Sequence, residues 1–122
     1  MTSFFFIALG GALGALGRFW IGLLYSALPC RFPLGTLSVN IIGSFLIGLT
    51  ASAIAAGRLG ASPWNEFVMM GFCGALTTFS TFSMDSFKLL REGRFWDAGF
   101  NLVLSVAFCL GAAALGLTVF KA

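Results

Sequence analysis

Between Ser3 and Phe120 the chain reads as four long apolar runs, and the short breaks between them hold most of its charge. A spanning helix needs roughly 20 apolar residues, because the hydrocarbon core is about 30 Å thick and a helix rises about 1.5 Å per residue. The chain has 122 residues, of which 59% are hydrophobic and 9% charged. An ordinary soluble domain carries about 25% charged residues. So few charges do not build a water-facing surface, and the bilayer is the solvent this chain calls for.

The breaks set the spans. The first runs over residues 3–28 and is ended by Pro29, Arg31 and Pro33. The second covers 34–56 and is ended by Gly57, Arg58 and Gly60. At Ser62-Pro63-Trp64 a helix starts, with Ser62 suited to the N-cap and Pro63 to the first helical position. That third span covers 63–90, the turn Arg91–Arg94 follows, and the fourth covers 95–120. No loop is long enough to hold a soluble domain. The N-terminal "MTSFFFIALGG" lacks a basic n-region and reads as the start of the first span rather than a cleaved signal. The expected fold is all-α, a single four-helix transmembrane domain.

Several functions are excluded early. The net charge is +3, but the basic residues stand singly at helix ends and in turns, without the stripe that nucleic acid requires. With no histidine, Ser-His triads, imidazole metal sites and histidine proton relays are all ruled out. Cys30, Cys73 and Cys109 are odd in number and lack CxxC spacing, which supports neither a disulfide framework nor a zinc site. Glu66, Asp85, Glu92 and Asp97 all avoid the middle of a span, Asp85 coming nearest. A small multidrug-type proton-coupled exporter needs a membrane carboxylate, so that class is disfavoured. A non-transporting subunit of a larger membrane complex is the other alternative.

In lipid the polar side chains carry the information. Gly10, Gly14 and Gly17 share one face of the first helix and let backbones approach. Arg18 lies deep in that span, as an anion lure or as an anchor on helix-end carbonyls. The second helix carries Thr36, Asn40, Ser44 and Gly48 at spacing four, with Gly43 beside them. Asn40 could offer its amide to an anion or to a neighbouring helix. The densest signal is Gly71 to Asp85, "GFCGALTTFSTFSMD". Glycines followed by hydroxyls favour a broken helix, whose freed carbonyls suit a hard cation such as sodium. Phe79 and Phe82 share a helical face, and phenyl edges are electropositive while remaining apolar. Asn101, Ser105 and Cys109 repeat the stripe on the fourth helix and either line a pathway or pack.

Four spans put both termini, with Arg58 and Lys121, on one side, and Arg31, Lys88, Arg91 and Arg94 on the other. The terminal amine narrows this difference. So weak a bias under the positive-inside rule permits both orientations and hence an antiparallel homodimer.

The segments Gly11–Arg18 "GALGALGR", Gly35–Gly48 "GTLSVNIIGSFLIG" and Gly71–Ser83 "GFCGALTTFSTFS" resemble the Fluc/CrcB fluoride channel family, in the same order and over nearly the whole chain. The third motif is the most specific. The resemblance implies an antiparallel dual-topology homodimer in the bacterial inner membrane, with two narrow pores that export fluoride passively. It assigns Asn40, Phe79, Phe82, Ser80, Thr81 and Ser83 to the fluoride pathway and a structural role to Arg18. It also assigns a structural sodium at the dimer interface to the main-chain carbonyls of Gly74 and Thr77. The fourth helix departs from the pattern, with Phe108, Cys109 and Ala113 where relatives carry a Gly-Ser pair and a Thr. Ser105 and Cys109 stand as its candidates. The implied partners are fluoride, membrane lipid and a second copy.

Overall fold

The computed structural model describes residues 2–29 and 32–120. Cys30, Arg31 and Lys121 lie outside the described residues, and so does their part in the charge count. The helices are α1 (Thr2–Ser26), α2 (Leu34–Ala55), α3 (residues 61–76), α4 (Phe79–Arg91) and α5 (Phe95–Val119). Together they make four segments long and apolar enough to cross a membrane, Ala61–Arg91 being one interrupted segment. Large side chains such as Phe4, Leu24, Trp96 and Leu110 face outward, as lipid-facing surfaces require. Among the described residues there is no strand.

The helix ends follow local chemistry. Beyond α2 and α4 the chain turns at Gly57 and Gly93, both at φ +76°, where a side chain would be strained. Arg58 N–H reaches back to the Ala53 carbonyl at 2.9 Å and Arg94 N–H to the Leu89 carbonyl at 2.9 Å. These bonds satisfy carbonyls that a helix end would otherwise orphan. Lys88 and Arg91 sit in the last turn of α4, where cations complement the helix dipole.

Segment α3 is irregular. Ser62 is extended (φ −105°, ψ 138°), so the continuous helix begins at Pro63. The Ser62 hydroxyl donates to the Glu66 carboxylate at 2.7 Å rather than capping a backbone N–H. Residues Asn65–Cys73 are wound as a π-helix, a wider winding that is rare and usually confined to a single turn. After the short α-helical piece Gly74–Leu76, Thr77 (φ −82°, ψ 154°) and Thr78 (φ −152°, ψ 115°) are extended. The break therefore falls on two threonines, just beyond Gly71 and Gly74.

Packing depends on backbone proximity. Helix α5 lies chiefly along α2, and α1 along α3. A Cβ on Gly48 would strike the backbone of Ala113 and Leu117, and one on Gly116 that of Phe45 and Leu49. Gly10 and Gly14 likewise face the backbone of Phe67 and Phe72. Lipid tails are as apolar as leucine, so hydrophobic burial does little to hold these helices together. Close van der Waals contact through small residues does it instead.

Candidate ion pathway

Four consecutive residues lose their helical hydrogen bonds when a helix breaks, and their carbonyls and N–H groups need other partners. Thr77 stays attached to the turn before it: its N–H (3.0 Å) and its hydroxyl (2.7 Å) both donate to the Cys73 carbonyl. Thr78 opens α4 as its N-cap, its hydroxyl oxygen accepting from Thr81 N–H at 3.1 Å. Replacing such a cap typically costs about 1 kcal/mol.

Asn40 of α2 closes the gap from the side. Its Oδ1 accepts from Thr78 N–H at 2.8 Å, and its Nδ2 donates to the Thr78 carbonyl at 3.3 Å. One planar amide thus replaces both main-chain partners of a single residue. Gly43, one turn along α2, lets the Thr77 methyl approach where a Cβ would collide. Arg18 of α1 donates through Nε to the Ala75 carbonyl at 3.0 Å, so the deep arginine meets a carbonyl at the end of the broken helix. The carbonyls of Gly74 and Thr77 receive no hydrogen bond from the described residues. Gly74 is exposed on the monomer surface.

The hydroxyls form a small cluster. Thr78 Oγ1 donates to Thr81 Oγ1 at 3.1 Å and lies 3.2 Å from Ser80 Oγ. A hydroxyl has one proton. With that of Thr78 given to Thr81, Ser80 is left as the donor toward Thr78, and Thr81 Oγ1, an acceptor here, keeps its own proton for another partner. Ser80 and Ser83 are exposed and Thr81 is half-buried.

Phe79 and Phe82 lie beside these hydroxyls with ring centroids 5.5 Å apart and planes inclined at 48°. Their environments differ: Phe82 is 8% exposed and Phe79 78% exposed. Asp85, one turn further, accepts from the Thr36 hydroxyl at 2.9 Å. A cavity of about 790 Å³ opens there, lined by Arg18, Thr36, Thr78, Thr81, Asp85 and Lys88 among others. It joins the charged end of α4 to the break at its start.

The candidates on α5 lie apart from the hydroxyl cluster. Ser105 is buried and donates to Asn101 Oδ1 at 3.4 Å, and Cys109 is half-buried. Sequence reasoning passed over Ser86; it read Thr36 and Asn101 only as members of polar stripes, Thr78 only as one of a run of hydroxyls, and Asp85 only as a carboxylate near the end of a span. For Thr78 a signal existed, since a threonine just before the helical residues Phe79 to Thr81 is an N-cap pattern.

Known proteins resemble this chain over most of its length. Residues 5–117 match the family described as CrcB-like protein, Camphor Resistance (CrcB). A relative in Vibrio vulnificus (strain YJ016), named fluoride-specific ion channel FluC, is 47% identical over 117 residues, which cover 95% of this chain and 93% of that protein. A relative of the same name in Photobacterium profundum is 50% identical over 112 residues, 91% and 88% of the two chains. One from Vibrio cholerae (strain M66-2) is 46% identical over 112 residues, 91% and 89% of the two chains. With the match spanning all four helices and the break in the third, this chain belongs to the CrcB family.

Proposed function

We propose that this protein is a fluoride-specific ion channel of the bacterial cell membrane, a multi-pass protein and not an enzyme. The carrying observation is the broken third helix, where the Thr78 and Thr81 hydroxyls border a cavity and a phenylalanine pair sits on the same helix, in a chain about 47% identical to proteins named for this activity.

Fluoride is small and strongly hydrated, so a pathway must replace its water with donors. Neutral donors suit that task, because a fixed charge in the narrow part would hold the ion. Conduction requires binding strong enough to enter and weak enough to leave. The Thr81 hydroxyl, the second N–H of Asn40 and the first N–H groups of α4 are such donors. The edges of Phe79 and Phe82 add an electropositive rim that large, weakly hydrated anions do not need. Ser80 and Ser83 extend the hydroxyl track. An inside-negative potential of about 100 mV favours anion exit by about 2.3 kcal/mol per charge. Passive conduction therefore suffices for export.

The working unit is an antiparallel dimer of two copies in dual topology. Phe79 and Gly74 support this reading: both belong to the functional segment and both are exposed on one copy. Structural sodium belongs at the carbonyls of Gly74 and Thr77. These oxygens lack a described donor, and hard oxygen ligands fit a hard cation. Bound there, sodium would give the carbonyl oxygens of the break the electropositive partner that a helix would otherwise supply.

Efflux from protein-loaded liposomes tests the reading. Fluoride is released without a proton gradient and chloride is retained; equal rates for the two would refute it. Replacing sodium with a large organic cation lowers fluoride efflux, and an unchanged rate removes the sodium proposal. Cysteine labelling from each side of the membrane marks both orientations, and a single labelled orientation removes the dual topology.

A further inference from the structure

Helix α4 carries both phenylalanines, yet its own packing against the bundle is slight compared with that of α5 on α2. Its rotation about its axis must be set by something else. Side chains of a helix reach about 5–6 Å from its axis, so a turn of about 20° moves a ring by about 2 Å. A displacement of about 1 Å is enough to impair a positioned site.

A buried chain of hydrogen bonds crosses from α5 to α4 behind Phe82. Ser105 Oγ donates to Asn101 Oδ1 at 3.4 Å, Asn101 Nδ2 donates to Ser86 Oγ at 2.8 Å, and Ser86 Oγ donates to the Phe82 carbonyl at 2.9 Å. Asn101 is 1% exposed, Ser105 6% and Ser86 7%. Every donor in the chain points toward Phe82, an arrangement in which successive bonds polarise and strengthen one another.

A serine bonded to the carbonyl four residues back is common in helices. What is not local is the amide of Asn101, which ties that hydroxyl to a different helix. Asn101 touches neither Phe ring through this chain. Its reach is to the main chain from which the Phe82 ring is hung.

We infer that Asn101 is a positioning residue for Phe82, acting through Ser86 to fix the rotation of α4 and with it the ring edge offered to the ion. The inference rests on the fluoride-channel reading for its functional consequence. Its structural part, the link between Asn101 and the Phe82 ring, stands on the geometry alone.

The test uses full-length protein with four changes: Asn101→Val, Ser86→Ala, Ser86→Thr and the double change Ser86→Ala with Asn101→Val. The double variant removes both partners together, so it leaves no buried polar group unpaired at that link and guards against loss of folding. Two readouts are taken on the dimeric fraction: the ratio of fluoride to chloride efflux from liposomes, and the ring NMR signal of 13C-labelled Phe82, assigned by its loss in Phe82→Ile.

Asn101→Val and Ser86→Ala are each expected to lower the efflux ratio about tenfold or more and to move the Phe82 signal. The double variant matches the single ones instead of compounding them, and Ser86→Thr, which keeps the hydroxyl, retains the wild-type ratio and signal. A purely structural role changes the yield of folded protein and leaves the ratio and the signal in place. That result, or a Ser86→Thr as damaging as Ser86→Ala, overturns the inference. Wild-type protein that passes no fluoride refutes the channel reading instead, and the Phe82 signal still decides the positioning role.

Discussion

Two regions of this molecule are held together by different means. Along the α2–α5 seam, Gly48 and Gly116 bring backbone against backbone with no room for a side chain. At the start of α4, Asn40 and Thr78 tie an interrupted helix to α2 through polar bonds, and Arg18 ties the preceding turn to α1. The first region has little polar chemistry to offer an ion and a geometry that tolerates almost no change. The second presents hydroxyls and N–H groups at membrane depth. Such groups persist in lipid only where protein or water satisfies them. The rigid seam therefore serves as the frame, and the polar break is the part to which the proposed ion pathway is assigned.

The largest expected effect breaks the frame. Gly116→Leu puts a side chain into the backbone of Phe45 and Leu49 and forces the helices apart. Overpacking costs typically 1–3 kcal/mol where side chains give way, and here the neighbour is backbone, so about 3 kcal/mol or more is expected. Loss of the folded, monodisperse protein in detergent is the measurement. A stable Gly116→Leu would mean that the seam is looser than the comparison holds.

Next comes a change that spares the frame. Phe82→Ile is expected to cut fluoride efflux about tenfold or more while the dimer persists by size exclusion. An undiminished rate would place the ring contacts elsewhere. Asn40→Ala removes two bonds to Thr78. Losing them and leaving a part-buried N–H unpaired is expected to cost about 2–3 kcal/mol, read as a lower unfolding midpoint, together with reduced efflux. Full stability with reduced efflux would recast Asn40 as a donor to the ion alone.

The distinction between what was readable in the sequence and what was not follows the same boundary. The four spans and the break were legible because they are local: apolar runs, Pro and Gly stops, and glycines followed by hydroxyls. Asn40 was not resolvable as a site residue from composition, because its partner Thr78 lies 38 positions away. The bond from Thr36 to Asp85 spans 49 positions, and depends on how α2 and α4 face one another. The π-helical winding of Asn65–Cys73 had no signature in the periodicity. It accompanies the seating of Gly10 and Gly14 on the backbone of Phe67 and Phe72, a tertiary fit. Asn101 was visible as part of a stripe, but its link to Phe82 through Ser86 required both helices in place.

Smaller effects sharpen the contrast further. Thr78→Val removes the cap of α4 and is expected to cost about 1 kcal/mol. Gly111→Ala meets nothing within 4 Å and is expected to be neutral, or to stabilise by up to about 1 kcal/mol through helix propensity. Thermal unfolding of the two variants side by side separates a cap at the polar break from a glycine that is only on the surface.

The central claim is that the polar break passes fluoride and rejects larger anions. Electrical recording from wild-type protein in a planar bilayer tests it most directly, with chloride equal on both sides and a tenfold fluoride gradient across them. The account predicts a current that reverses at the fluoride equilibrium potential, about 59 mV for a monovalent ion. Reversal near zero, set by the symmetric chloride, would contradict it.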